Sequence, residues 1–263
     1  MTFSNPNSVD WNELNNRLRP DFLGHVAQMQ ESLSYPCIRN AYAHTILQAS
    51  EIAGAILGCD PKQRYSAWIP ELQAAYRSLD QYGVKGYLDL LEQIANREGV
   101  ETLLEDTHIP ISQFAGLVYF LRYWCIPFQV PMRQLLEPGD ETSKIWVRQL
   151  KEASIASNLG VLEAGRTTAD RQVLAEKIVI PLDFLTGLVH RADLRRLPFH
   201  SQKTISYLIH AGAGSLAELA EIDPQRLLSQ VLAYGKEIGK DLHYGVEPMS
   251  SALIARVLPQ VVE

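Results

Sequence analysis

The chain has 263 residues, of which 46% are hydrophobic, and this is enough for one large or two small globular domains with a sizeable core. Its formal charge of −6 at pH 7 argues against a surface built throughout to bind nucleic acid phosphates, although a local basic face stays open. The three cysteines lie far apart and outside any CxxC spacing, which argues against a disulfide framework or a structural zinc site.

The start of the chain is polar and rich in Asn, Ser and Pro, so we expect residues 1–10 to be poorly ordered. It has neither the basic nor the apolar region of a secretion signal, and we therefore expect a cytoplasmic protein. The most apolar stretch, residues 114–132, is interrupted by Arg122 and two prolines. This stretch falls short of a membrane-spanning helix and is predicted to form core.

Residues 1–80 are predicted to form an N-terminal helical unit. Asp10 is placed to cap a helix that begins at Trp11, and Pro20 should break that helix. A second helix is expected from Cys37 to Leu57, where apolar residues recur every three to four positions in an alanine-rich sequence.

His44 and Glu51 are seven residues apart on that second helix, so they would share a face, as metal ligands sometimes do. No Glu-x-x-His pair accompanies them on any helix. The pattern therefore favours ordinary polar side chains, and no metal is predicted.

The next part of the chain contains an internal repeat. A gapless shift of 71 residues aligns residues 88–128 with residues 159–199. The matches include Ile109-Pro110 with Ile180-Pro181, Gly116-Leu117-Val118 with Gly187-Leu188-Val189, and Pro127-Phe128 with Pro198-Phe199. Chance agreement is the alternative, but matches at prolines and glycines favour one helical unit used twice, in segments 81–150 and 151–263. The Leu-Val pairs should be buried, with each preceding glycine allowing close helix approach.

Helix start signals follow one another closely in the second half of the chain. They are Thr168 or Asp170 as a cap, Pro181 in a first turn, Ser201 as a cap, Ser215 with Glu218 as a capping box, and Asp223 before Pro224. Helices over 224–242 and 248–258 should complete the chain. Sustained strand alternation is absent, so the sequence predicts an all-α fold.

Sequence patterns of enzymes and cofactor sites are missing. Ser215 has glycine neighbours but not the G-x-S-x-G arrangement of a nucleophile elbow, and capping a helix already explains it. The chain has no glycine-rich phosphate loop and no HExxH sequence. We therefore expect a non-catalytic protein without a cofactor.

The run VHRADLRRLPFHSQKTISYLIHAGAGSLAELAEIDPQRL resembles the helix-hairpin-helix-like family of unknown function numbered 4332. The resemblance covers residues 159–258 well and residues 88–136 faintly. It implies an N-terminal helical unit followed by two tandem helix-hairpin-helix-like repeats, with hairpins at 127–131 and 198–201. These hairpins lack the Gly-x-Gly that would let backbone N–H groups approach a phosphate.

Two surfaces are candidates for function. The first is a basic patch around the second hairpin, formed by His190, Arg191, Arg195, Arg196, His200 and Lys203. It could contact phosphates or an acidic partner, or it could be a solvated helix face whose arginines pair with Asp183 or Glu218. The second is aromatic, with Tyr123 and Trp124 near the first hairpin, which could be core or a docking site.

Two functional classes stay open. One is a helical adaptor that docks a protein partner through both hairpins, with aromatic anchors at one and orienting charge at the other. The other is a nucleic-acid-binding protein whose contacts are weak and read no sequence. The acidic balance and the missing hairpin glycines favour the adaptor. No membrane association is expected, and the oligomeric state is open.

Overall fold

A computed structural model of the chain describes residues 9–18 and 21–263. The expectations for the first eight residues and for Pro20 fall outside these ranges. Within them the fold is all-α, as the sequence predicts: sixteen α-helices and two isolated bridges, with no strand. No helix in the described part of the chain is long and apolar enough to cross a membrane.

Five helices precede the repeat. They are α1 (Trp11–Arg17), α2 (Phe22–Ser34), α3 (Pro36–Ala41), α4 (Ile46–Gly58) and α5 (Trp68–Tyr82). Asp10 caps α1 as predicted, by accepting bonds from the N–H groups of Asn12 and Glu13. The prediction of a single helix from Cys37 to Leu57 is wrong. This stretch is divided because Thr45 and Gln48 form a capping box that starts α4.

The repeat region contains two sets of helices whose bounds follow the offset of 71 residues. The first set is α6 (Tyr87–Gln93), α7 (Arg97–Thr107) and α8 (Ile111–Phe120). After α9 (Lys144–Glu152), the second set is α10 (Asn158–Ala164), α11 (Thr168–Ile178) and α12 (Leu182–Leu194). His108 and Val179, which end α7 and α11, are both in the left-handed region, at φ +54° and +56°.

The two sets differ after their third helix. The chain leaves α8 through a π-helical turn, Leu121–Cys125, whereas α12 continues regularly to Leu194. Such turns add a residue to the helical cycle and change which side chains face the core. Tyr123 and Trp124 lie within this turn, so their positions do not follow from a regular helix.

The chain ends with α13 (Gln202–His210), α14 (Leu216–Glu221), α15 (Pro224–Glu237) and α16 (Glu247–Ala255). Ser201, Ser215 and Asp223 cap α13, α14 and α15 as predicted. The cap of α11 is Thr167, one residue before the predicted Thr168, because Asp170 completes a capping box with it.

One turn ends five helices, α5, α9, α11, α13 and α15. In each case a residue with positive φ follows the helix, namely Gly83, Ser154, Val179, Gly212 and Gly239. The next N–H donates to the carbonyl five residues earlier: Val84 to Leu79, Ile155 to Leu150, Ile180 to Ala175, Ala213 to Leu208, and Lys240 to Gly235. This turn is thus a common way of ending a helix in both halves of the described chain.

A single hydrophobic core extends from Leu14 to Val262 and includes residues of all three predicted segments. The N-terminal helices pack against both repeats, α1 on α8, α2 on α6 and α3 on α10. The N–H of Cys37 in α3 donates to the carboxylate of Glu163 in α10 at 2.7 Å. All three cysteines are free and buried.

The predicted Leu-Val pairs, Leu117-Val118 and Leu188-Val189, are buried. Their neighbouring glycines differ. A Cβ on Gly116 would lie 3.2 Å from the Trp68 indole nitrogen, which is the expected close approach, but a Cβ on Gly187 would meet open space. The expectation for Gly187 is therefore wrong.

Candidate interaction site

The loop Pro198–Ser201 places Phe199 at the surface between α12 and α13. The Phe199 backbone is in the left-handed region, at φ +59°, and 61% of the residue is exposed. Its ring meets the edge of Trp124 at a centroid distance of 5.1 Å and lies parallel to Tyr123 at 6.3 Å. Both aromatic residues predicted as anchors in the first repeat therefore contact the second hairpin.

Tyr123 and Trp124 differ in burial. Trp124 is 8% exposed and packs edge-on against Tyr65 at 4.8 Å, whereas Tyr123 is half-buried and lies 4.7 Å from Tyr119. Trp124 thus serves partly as core between the repeats. Tyr123 and Phe199 provide the accessible aromatic surface.

A cleft of about 320 Å³ lies beside these rings, between the loop after α4, the Phe199 loop, α13 and α16. We call it the aromatic cleft. Its aromatic wall consists of Tyr65, Trp124, Phe199, Tyr207 and Tyr244. Its volume is at the lower end of the range for sites that bind small molecules or single side chains.

Three charged residues line one edge of the aromatic cleft. Arg64 donates twice to Asp60, from Nε to Oδ2 at 2.9 Å and from Nη2 to Oδ1 at 3.1 Å. These bonds hold the pKa of Asp60 below its ordinary value. Glu247, at the start of α16, is more loosely held, since its Oε1 lies 3.6 Å from Arg64 Nη1.

His200 forms part of the opposite wall and is neutral. Its Nδ1–H donates to the carbonyl of Pro198 at 2.7 Å, and its Nε2 lies 3.0 Å from the Ser251 hydroxyl. Burial lowers the pKa of His200 to about 4. The single hydroxyl proton of Ser251 can be donated either to His200 Nε2 or to the carbonyl of Glu247, 2.8 Å away within α16, and Ser251 is 3% exposed. The contact between His200 and Ser251 joins the Phe199 loop to α16.

The arginines of the predicted basic patch point to different partners. Arg191 pairs with Glu137, and Arg196 donates to Asp193 at 2.7 Å with its side chain fully buried. The expected pairing with Asp183 or Glu218 is therefore wrong. The offset of 71 residues could not predict the pair between Arg191 and Glu137, because Glu137 lies in the part of the first repeat that has no counterpart in the second.

The remaining members of the patch do not assemble into a basic face. Arg195 is half-buried, 3.4 Å from Gln134 Oε1 and 5.8 Å from the Phe128 ring centroid. Burial lowers the pKa of His190, which lines a separate cavity near α14. Lys203 is exposed. Of the eight residues predicted from the sequence, the structure brings Trp124 and His200 to the aromatic cleft, with Tyr123 against Phe199 at its mouth.

Other parts of the cleft were not foreseen. Tyr65, Tyr207, Tyr244 and Glu247 are not among the site residues predicted from the sequence, and only the fold brings them together. His44 lies in the turn before α4 and not on a helix with Glu51. Across residues 9–18 and 21–263, no group of three His, Cys, Asp or Glu side chains could hold a metal ion.

Comparison with known proteins identifies one family. Residues 141–244 match the family model described as "Domain of unknown function (DUF4332)", and the family resemblance is thus confirmed for this segment. No curated protein and no solved structure matches the chain. The matched segment includes Phe199, His200 and Tyr207, whereas Tyr65, Trp124 and Glu247 lie outside it.

Proposed function

We propose that this protein, whose residues 141–244 contain a domain of the DUF4332 family, is a cytoplasmic, non-catalytic adaptor that binds a protein partner at the aromatic cleft. The observation that carries the proposal is Phe199, an exposed aromatic residue with a strained backbone at the mouth of that cleft.

Two features of Phe199 are unfavourable in the protein alone. The left-handed backbone costs roughly 1–2 kcal/mol for a residue with a Cβ. Since 61% of the residue stays exposed, the hydrophobic stabilisation from burying its ring offsets only part of the backbone strain. Aromatic side chains in such positions are frequent anchors of protein–protein binding, where burial against a partner supplies the missing stabilisation.

The alternative is weak, electrostatic binding of nucleic acid through Arg191, Arg195, Arg196 and Lys203. It has less support, because Arg196 is buried and Arg191 is paired with Glu137. Only Lys203 of this group is exposed, and one lysine would neutralise about one phosphate.

Affinity purification from the native cell tests the proposal when wild-type protein is compared with Phe199→Ala. We expect specific proteins that stay bound after nuclease treatment and are lost in the variant. Val179→Ala is the matched control, since Val179 is also apolar, exposed and left-handed but lies away from the cleft. Partners that remain with Phe199→Ala would contradict the proposal, and partners lost after nuclease treatment would favour the alternative.

A further inference from the structure

We infer that the aromatic cleft receives an arginine side chain of the partner, with its guanidinium group against the aromatic wall and beside Glu247. This inference rests on the proposed function, because it names the chemistry of the anchor that the partner inserts.

The aromatic wall is suited to a flat cation. Tyr65 and Trp124, and likewise Tyr207 and Tyr244, meet edge to face, so each pair covers one face of one ring and not the facing surfaces of both. Cations of the chain itself already approach two of these rings. Arg64 Cζ lies 5.7 Å from the Tyr65 centroid, and Lys240 Nζ lies 6.0 Å from that of Tyr207. A guanidinium group is attracted to an aromatic ring by its positive charge, and because it is planar it also stacks on the ring face.

Glu247 is the carboxylate with capacity for a further cation. Its Oε2 accepts the N–H of Gly245 at 2.7 Å, but the 3.6 Å between its Oε1 and Arg64 is too long for a hydrogen bond. Half of the Glu247 side chain is exposed. Asp60, by contrast, has both oxygens engaged by Arg64. An incoming guanidinium can therefore donate to Glu247 Oε1 without displacing a side-chain hydrogen bond.

A buried hydroxyl adds a second acceptor. Ser250 is one of the residues that line the aromatic cleft, and its hydroxyl is shielded from solvent and has no hydrogen-bond partner among the residues that the structure describes. An unpaired buried hydroxyl is costly, and a guanidinium N–H would satisfy it. A purely apolar anchor would leave it unpaired.

The charge of the lining agrees with a cationic anchor. Two carboxylates, Asp60 and Glu247, face one guanidinium, Arg64, while His200 is neutral. Lys62 and Lys240 lie nearby but do not line the cleft. Recognition of the guanidinium group therefore depends on its direct contacts with Glu247 and with the ring faces. At longer range, the net charge of −6 attracts basic partners.

Titration of the full chain with N-acetyl-arginine amide tests this inference, with the isosteric but neutral N-acetyl-citrulline amide as the control ligand. Tryptophan fluorescence reports binding, and Trp124→Phe identifies the part of the signal that comes from the cleft. At low ionic strength we expect saturable binding of the arginine compound, at least fivefold weaker binding of the citrulline compound, and at least a fivefold loss in Glu247→Gln.

Glu237→Gln provides the matched control variant, since Glu237 is an exposed glutamate at the end of α15, outside the lining. Equal binding of the two compounds, no binding of either, or unchanged binding in Glu247→Gln would overturn the inference. Tighter binding of tetramethylammonium than of the arginine compound would also overturn it, in favour of a quaternary ammonium group.

The two proposals fail in distinguishable ways. If Phe199→Ala loses the cellular partner while Glu247→Gln retains it, the docking site stands and the arginine anchor is wrong. If Phe199→Ala retains the partner, the proposed function itself fails, whatever the small compounds do.

Discussion

The buried guanidinium of Arg196 donates to the carboxylate of Asp193, one helical turn earlier in α12, at 2.7 Å. Arg196 also donates to the backbone carbonyl of Pro259 and lies 5.9 Å from the ring centroid of Tyr42. A charge that the sequence placed in a surface patch thus joins α12 to α3 and to the C-terminal segment. Removing either partner would leave an uncompensated charge in the core.

Substitution of Arg196 by Met should lower the free energy of unfolding by about 3–5 kcal/mol, because Asp193 then stays buried without its partner. The double variant Arg196→Met with Asp193→Leu should lose less than the sum of the two single changes. Urea denaturation at neutral pH measures all three. Lys203→Met is the control and should be near neutral, since Lys203 is exposed. A loss below about 1 kcal/mol in Arg196→Met would show that the pair is dispensable.

Leu188 is 2% exposed on α12, and its replacement by Ala should cost about 2–5 kcal/mol through lost burial and a residual cavity. Leu182 begins the same helix but is 40% exposed, so Leu182→Ala should cost much less. Thermal and urea denaturation of the two variants give the comparison. Equal losses would mean that burial does not distinguish the two positions.

Val179 ends α11 with φ +56° and is 80% exposed. Glycine adopts this conformation without steric cost, so Val179→Gly should raise the free energy of unfolding by about 1 kcal/mol. His108 occupies the equivalent position after α7, at φ +54°, and His108→Gly should have an effect of the same sign. Calorimetry on both variants checks this, and a lower melting temperature in both would refute the strain argument.

The pKa of His200 is lowered by burial to about 4, from an ordinary value of 6.5. The folded state therefore favours the neutral imidazole, and its contribution is complete above about pH 6.5 and declines as the pH falls towards 4. The loss over this window should reach about 3 kcal/mol at most. His200→Asn should flatten this part of the stability–pH curve, whereas His243→Asn should not, since the His243 side chain is 85% exposed. Parallel curves for wild type and His200→Asn would contradict the prediction.

The helical architecture could largely be predicted because its signals are local. Asp10, Ser201, Ser215 and Asp223 cap helices through bonds to N–H groups two or three residues away. The break at Thr45 could have been found from the same kind of signal, since Gln48 stands at the capping-box position. The alanine-rich periodicity of the surrounding sequence obscured it.

The candidate site was harder to predict because its contacts join distant parts of the chain. Tyr65, Trp124 and Phe199 come from three segments, and two of them meet only because a π-helical turn and a left-handed residue redirect the backbone. Charge spacing along α12 suggested a basic face. The spacing could not show that Glu137, which pairs with Arg191, would be brought there by a loop.

The bond between the Cys37 N–H and Glu163 joins positions 126 residues apart, and it links α3 to α10. A contact of this separation forms only after a long loop closes, and the entropy of that closure slows folding. During synthesis, α3 is made well before the surface that covers it. Helix α3 must therefore keep its apolar face open until α10 has been made, and in this interval the growing chain is exposed to misassembly.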